Sequence, residues 1–170
     1  MPVSDVTLWW SLRESFRAYV ASLADGQEVV GGGAGIAGDG RFEMKGTSQP
    51  DAPVGADAAD AGVDSVLAFE GTVGFSGYFG MLSVSISAPW VGLRNDGSGV
   101  VSILSQRDPR YPGRRVTIAE FGEVVRAPQE LTVPRPTLTS AGVALLGDVY
   151  KVGDLLDPIE IRGAGVSPSP

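Results

Sequence analysis

Ser15 and Tyr19 are the side chains whose types and spacing point most directly to chemistry. Four residues apart, they stack on one face of a helix, about 6 Å from each other along its axis. A planar ligand lying on that face meets both. A phenol oxygen can ligate ferric haem iron, and a hydroxyl one turn earlier can hydrogen-bond a polar edge of the same ligand. Arg13 and Arg17 flank this face and can each pair with an anionic ligand group or stay as solvated helix charges. The plainer account is a tyrosine that half-buries its ring and leaves its hydroxyl in water, as most do on amphipathic helices.

Other chemistries are narrowed by what the chain lacks. It has no cysteine and no histidine, which removes disulfides, thiolate nucleophiles, the usual zinc and copper sites and any histidine-based triad. Gly33-Ala34-Gly35-Ile36-Ala37-Gly38 satisfies G-x-G-x-x-G in form, but it leads into Asp39-Gly40 and a strand-like run, whereas a dinucleotide site needs the motif to open a helix. Asp154 and Asp157 could pair as a hydrolase's carboxylates, yet Leu155, Leu156 and Pro158 around them read as structural, and Asp-Pro is a common turn element. Trp9 and Trp10 could stack on a ligand, although core packing accounts for at least one of them.

The elements that must position Ser15 and Tyr19 follow from periodicity. Residues 8–23 form the predicted helix, with Thr7 as N-cap, a buried stripe of Trp9, Leu12, Phe16, Val20 and Leu23, and Asp25-Gly26 as its stop. Short strands are predicted at 28–30 and 41–45, on either side of a glycine run. Residues 47–62, rich in Ala, Asp and Pro without a period, read as a mobile acidic loop. From residue 65 to 104 the pattern becomes alternation, with Val66 and Ala68, then Val73 and Phe75, then Leu82, Val84 and Ile86 each marking one strand face. Hairpin turns are predicted at 76–80, 95–99 and 108–113, a strand at 115–121, a short helix at 139–146 weakened by Gly142 and Gly147, and a partly extended 155–161. The expected fold class is mainly β: a sandwich-like set of short antiparallel strands with an N-terminal amphipathic helix and a short C-terminal helix.

At 170 residues and 43% hydrophobic content, with a mean hydropathy of +0.11, the chain is the size of one domain with a full core. Residues 1–163 are expected to be that domain and 164–170 a Pro/Ser-rich tail. A net charge of -7 and the lack of a basic stripe argue against nucleic acid as a partner. No stretch approaches a membrane span. The N-terminus carries neither a basic region nor an apolar run of the signal-peptide kind, so a complete chain of this sequence would be cytoplasmic.

Three stretches together resemble the HtaA domain, the haem-binding module of actinobacterial haem-uptake proteins. The first is Trp10-Ser11-Leu12-Arg13-Glu14-Ser15-Phe16-Arg17-Ala18-Tyr19. The second runs Phe69-Glu70-Gly71-Thr72-Val73-Gly74-Phe75-Ser76-Gly77-Tyr78-Phe79-Gly80-Met81-Leu82 to Ser87-Ala88-Pro89. The third is Leu138-Thr139-Ser140-Ala141-Gly142 with Tyr150-Lys151-Val152-Gly153-Asp154-Leu155-Leu156-Asp157-Pro158.

The resemblance implies non-covalent, b-type binding of ferric haem by a non-enzymatic carrier or relay, with another haem-transfer protein as partner. Tyr19 would be the axial ligand, Ser15 a hydrogen-bond donor to a propionate or to the tyrosine, and Phe75 and Phe79 apolar cover for the porphyrin. Relatives are exported or cell-surface proteins, so an excised domain would be extracellular. Where the family carries a histidine beside its ligating tyrosine, this chain has Tyr78, a weaker acceptor for the phenol proton. Three arrangements follow: Tyr19 ligates with Tyr78 assisting, Tyr78 is itself the ligand, or the domain keeps its fold as a haem-free structural or interaction module.

Overall fold

Strict alternation governs the first element. Val6, Leu8 and Trp10 are buried while Asp5, Thr7 and Trp9 are not, a period of two that makes a strand with one face in the core. A computed structural model of the protein describes residues 4–49, 62–105 and 115–164. In it β1 spans Ser4–Trp10 and α1 spans Glu14–Ser22. The helix therefore starts six residues later than predicted, because Trp9 and Leu12 fit a helical spacing by coincidence while Leu12 turns the chain with φ +61. Trp9 leaves the expected stripe. Its indole N–H donates to Glu43 on the outer face, whereas Trp10 is in the core and donates to the Asp157 carbonyl.

The strands continue as β2 (Gln27–Gly31), β3 (Gly35–Ile36), β4 (Phe42–Gln49), β5 (Ser65–Phe69), β6 (Thr72–Gly77), β7 (Leu82–Ser87), β8 (Trp90–Leu93) and β9 (Gly99–Leu104). After these come β10 (Arg115–Phe121), β11 (Val125–Ala127), β12 (Glu130–Val133), β13 (Thr137–Leu138), the helix α2 (Ser140–Leu145) and β14 (Ile159–Arg162). Among the described residues the larger antiparallel sheet runs β11-β12-β14-β1-β4-β5-β8-β9-β10-β13, with β3 also on β4, and a smaller sheet runs β2-β6-β7. The fold is mainly β, as expected, with two α-helices among the described residues.

The apolar faces of both sheets meet in one core. Val73, Phe75 and Ile86 of the smaller sheet lie against Leu8, Trp10, Phe42 and Met44 of the larger, leaving a void of only about 10 Å³. Phe16 and Val20 seat α1 on this core, with the Phe16 ring edge-on to Phe75 at 5.1 Å. Each such burial contributes about 1.5–3 kcal/mol. On β5 Leu67 and Phe69 face the core shared with the smaller sheet, while Val66 is buried and Ala68 half-buried on the other face.

Turn chemistry placed the hairpins correctly at 76–80 and 95–99. The turn expected at 108–113 lies outside the described residues, as does most of the acidic segment, whose first residues 47–49 belong to β4. The short C-terminal helix forms with Thr139 as N-cap, its Oγ1 accepting from Gly142 N–H at 3.1 Å. Gly142 is there for closeness: a Cβ would stand 2.1 Å from the Ile118 carbonyl oxygen. The G-x-G-x-x-G run leads through β3 to the strand β4 and opens no helix.

Candidate ligand-binding cleft

The helix α1 and the β6–β7 tip bring two phenols together. Tyr19 Oη donates to Tyr78 Oη at 2.8 Å, with the ring planes tilted by 50°. Both rings keep one face in water, Tyr19 at 37% and Tyr78 at 47% exposure. They border an open cleft of about 420 Å³, within the usual range for a small-molecule site. Leu82 and Leu146 form its apolar base, Met81 and Val149 its exposed rim, and Gly147 a gap between them.

The hydrogen bond has an electrostatic consequence. Because Tyr19 gives its proton to Tyr78, its phenol is held above the ordinary tyrosine value of 10; partial withdrawal from water and repulsion from a Tyr78 phenolate add to this. Tyr19 is thus a protonated donor at neutral pH, and any electrophile it binds must displace that proton.

The tip that carries Tyr78 is a single 3-10 turn, Tyr78–Gly80, in which Tyr78 and Phe79 take φ +49 and +54. Two consecutive side-chain-bearing residues in the left-handed region cost about 1–2 kcal/mol each. The turn is held by Asp25, which accepts from Tyr78 N–H at 3.0 Å and from Phe79 N–H at 2.6 Å. The sequence marks Asp25 only as part of the helix stop.

The other expected residues fall in different places. Ser15 is exposed one turn before Tyr19, and its Oγ accepts from Arg13 Nε at 3.0 Å. Phe79 stands at the tip, 97% exposed. Phe75 is corrected: it does not face the cleft, because β6 alternates and its side chain points inward between Phe16 and Phe42. Arg17 is committed to a bidentate pair with Glu28, to the Gly40 carbonyl, and to the Phe42 ring at 4.1 Å. Arg13 packs over the Tyr150 ring and donates to the Leu155 carbonyl.

Asp157 and Asp154 are structural, as their neighbours implied. Asp157 Oδ2 accepts from Glu14 N–H at 2.8 Å and caps α1, while Asp154 closes a turn on Lys151 N–H. Among the described residues no group of three or more acidic side chains is arranged to hold a metal ion, and no helix is long and apolar enough to cross a membrane. Leu146 and Gly147 reach the cleft from just past the end of α2, and nothing local in the sequence links residue 146 to residue 19.

Comparison with known proteins bears on the architecture. The C-terminal domain of HtaA from Corynebacterium glutamicum is similar at a TM-score of 0.69 and 20% identity, over 95% of this chain and 98% of that one. The N-terminal domain of HtaA from the same bacterium gives 0.66 and 22%, over 99% of this chain and 100% of that one. The haem-binding protein HtaB of the same species gives 0.62 and 21%, over 95% of each. No curated protein sequence matches. At these identities the solved structures speak for the fold alone. The HtaA family model (Htaa) matches residues 5–162, from within β1 to the last residue of β14, and the chain belongs to the HtaA family.

Proposed function

We propose that this protein is a non-enzymatic haem-binding module that accepts ferric haem non-covalently in the cleft beside α1, and serves as a carrier or relay to another haem-transfer protein. The observation that carries this reading is the Tyr19–Tyr78 phenol pair, 2.8 Å apart on the border of an open apolar cleft. Family membership and the haem-binding description of HtaB support it. The donor set fits the group: a phenolate is a hard anionic oxygen ligand suited to ferric haem iron, and the apolar base suits a porphyrin face.

When bound, the haem would supply a ferric centre that a phenolate oxygen can ligate. Tyr19, on the rigid helix, is the proposed ligand. Tyr78 retains its own proton, so once Tyr19 is deprotonated Tyr78 can reverse its role and donate to the phenolate oxygen, which a neutral imidazole does only through its N–H. In this reading Ser15, whose Oγ accepts from Arg13, is the hydrogen-bond donor to a propionate, and Phe79 is apolar cover for the exposed edge.

The test is hemin titration of the purified protein followed by absorbance, in wild type, Tyr19→Phe and Tyr78→Phe. A high-spin tyrosinate-type spectrum present in wild type and lost in Tyr19→Phe is the expected result. Loss confined to Tyr78→Phe would move the ligand to the hairpin. An unchanged hemin spectrum with wild type would end the haem reading and leave a haem-free interaction domain.

A further inference from the structure

The β6–β7 tip holds Tyr78 in a conformation its own sequence does not favour. Tyr78, Phe79 and Gly80 have φ of +49, +54 and +89, and only the third of these is a residue at ease there. Such turns aim successive backbone N–H groups at one point, making a concavity for an anion. Here the anion is internal: the two oxygens of Asp25 each take one N–H, from Tyr78 at 3.0 Å and from Phe79 at 2.6 Å.

Asp25 belongs to the corner that ends the helix carrying Tyr19. One glycine folds that corner back on the helix end, and another lets the hairpin approach it. A Cβ on Gly26 would lie 1.8 Å from the Val20 carbonyl oxygen, and one on Gly77 would lie 2.6 Å from Leu23 Cδ1. The phenol hydrogen bond then closes a ring of contacts: α1 to Tyr19 Oη, to Tyr78 Oη, through the tip backbone to the Asp25 carboxylate, and back to α1. A chain merely terminating a helix has no need of the second carboxylate oxygen; one that must fix a neighbouring hairpin does.

We infer that Asp25 is a positioning residue for the phenol pair, its carboxylate fixing the hairpin tip in the left-handed turn that keeps Tyr78 Oη on Tyr19 Oη. This deepens the haem reading and rests on it for its functional weight, but the clasp itself exists without haem. Asparagine in its place offers one oxygen and turns an NH₂ toward the other N–H; alanine offers neither acceptor.

Two measurements test it. The first uses haem-free protein labelled with ¹³Cζ-tyrosine, titrated to alkaline pH by NMR so that each of the four tyrosines is followed separately, with Tyr19→Phe and Tyr78→Phe for assignment. Tyr19 is expected to ionise later than an ordinary tyrosine in wild type, to move back to its Tyr78→Phe position in Asp25→Ala, and to fall between in Asp25→Asn. A role confined to stability would lower the melting temperature and leave the Tyr19 titration where it was; that result overturns the inference.

The second measures hemin release to excess apo-globin. Release should be roughly tenfold faster from Asp25→Ala than from wild type, the worth of about one hydrogen bond. It should be no faster from the Asp25→Ala/Tyr78→Phe double variant than from Tyr78→Phe, since both changes remove the same contact. Additive effects would overturn it. If wild type binds no hemin the haem reading falls, while the tyrosine titration still decides Asp25, and Asp25→Asn carries the same comparison should the alanine variant not fold.

Discussion

A phenol bonded to a phenol differs from a phenol bonded to an imidazole in where the proton rests. In this protein it rests on Tyr19, donated to Tyr78, and the bond raises the Tyr19 ionisation above its ordinary value. On the proposed ligation, each haem bound releases that proton, so the sign of the pH effect is fixed: below the raised value the phenolate fraction grows tenfold per pH unit, and apparent hemin affinity should rise with pH at a slope near one decade per unit. Equilibrium hemin titrations at several pH values check this, and a flat profile would exclude Tyr19 phenolate as ligand. Tyr78→Phe separates two opposed effects. It removes the acceptor that raises Tyr19, which eases deprotonation, and it removes the donor to the bound phenolate, a charge-assisted bond stronger than one between neutral groups. The second is larger in a cleft with an apolar base. The variant should therefore show hemin release faster by roughly ten- to a hundredfold, and its titration limb should move to lower pH.

The helix that presents Tyr19 is capped at its N-terminus by a carboxylate from outside it. Its N-cap, Arg13, makes no side-chain cap, and the free Glu14 N–H is met by Asp157 from the far end of the chain. Asp157→Ala should cost about 1 kcal/mol, a fall of roughly 2–4 °C in melting temperature for a chain of this size, measurable by circular dichroism; no change would mean water replaces the cap without loss. This distant cap also explains what the sequence could and could not disclose. Hairpins at 76–80 and 95–99 were legible because glycine and Asn-Asp-Gly turn chemistry is local. The start of α1 was not, because its cap lies 143 residues away and Trp9 mimics a helical stripe position while Val6, Leu8 and Trp10 alternate as a strand. The same holds at the cleft. Tyr19 and Tyr78 were marked by their type and by resemblance, but Asp25, which ends one element and grips the backbone of another 53 residues on, carries no local mark of its second task.

At the scale of the whole molecule, the first strand pairs with the last inside the larger sheet. β1 lies between β4 and β14, and across this seam an ionic chain runs over the outer face: Asp39 to Arg41 at 2.8 Å, Arg41 to Glu160 at 2.7 Å, and Glu160 to Arg162, whose guanidinium stands 5.6 Å over the Trp9 ring. Glu160 is the joint. Its side chain is only 18% exposed, and the hydrogen bond from Arg41, with the charges of both arginines, holds its carboxyl below the ordinary glutamate value of 4.5 despite partial burial. The folded value is lower than the unfolded one, so Glu160 favours the folded state fully above pH 4.5, and this contribution is lost as pH falls through the depressed folded value. Asp39, depressed first by the Arg41 backbone N–H and then by its side chain, acts in the same direction from a more solvated position. Glu160→Gln should therefore destabilise by about 2 kcal/mol near neutrality, roughly 4–8 °C in melting temperature. The gap from wild type should shrink progressively in acid as the wild-type carboxylate is protonated. Thermal melts of both proteins across pH 7 to 3 measure that gap directly. A difference that stayed constant over the range would assign the loss to altered packing at the β1–β14 seam instead of to the charge.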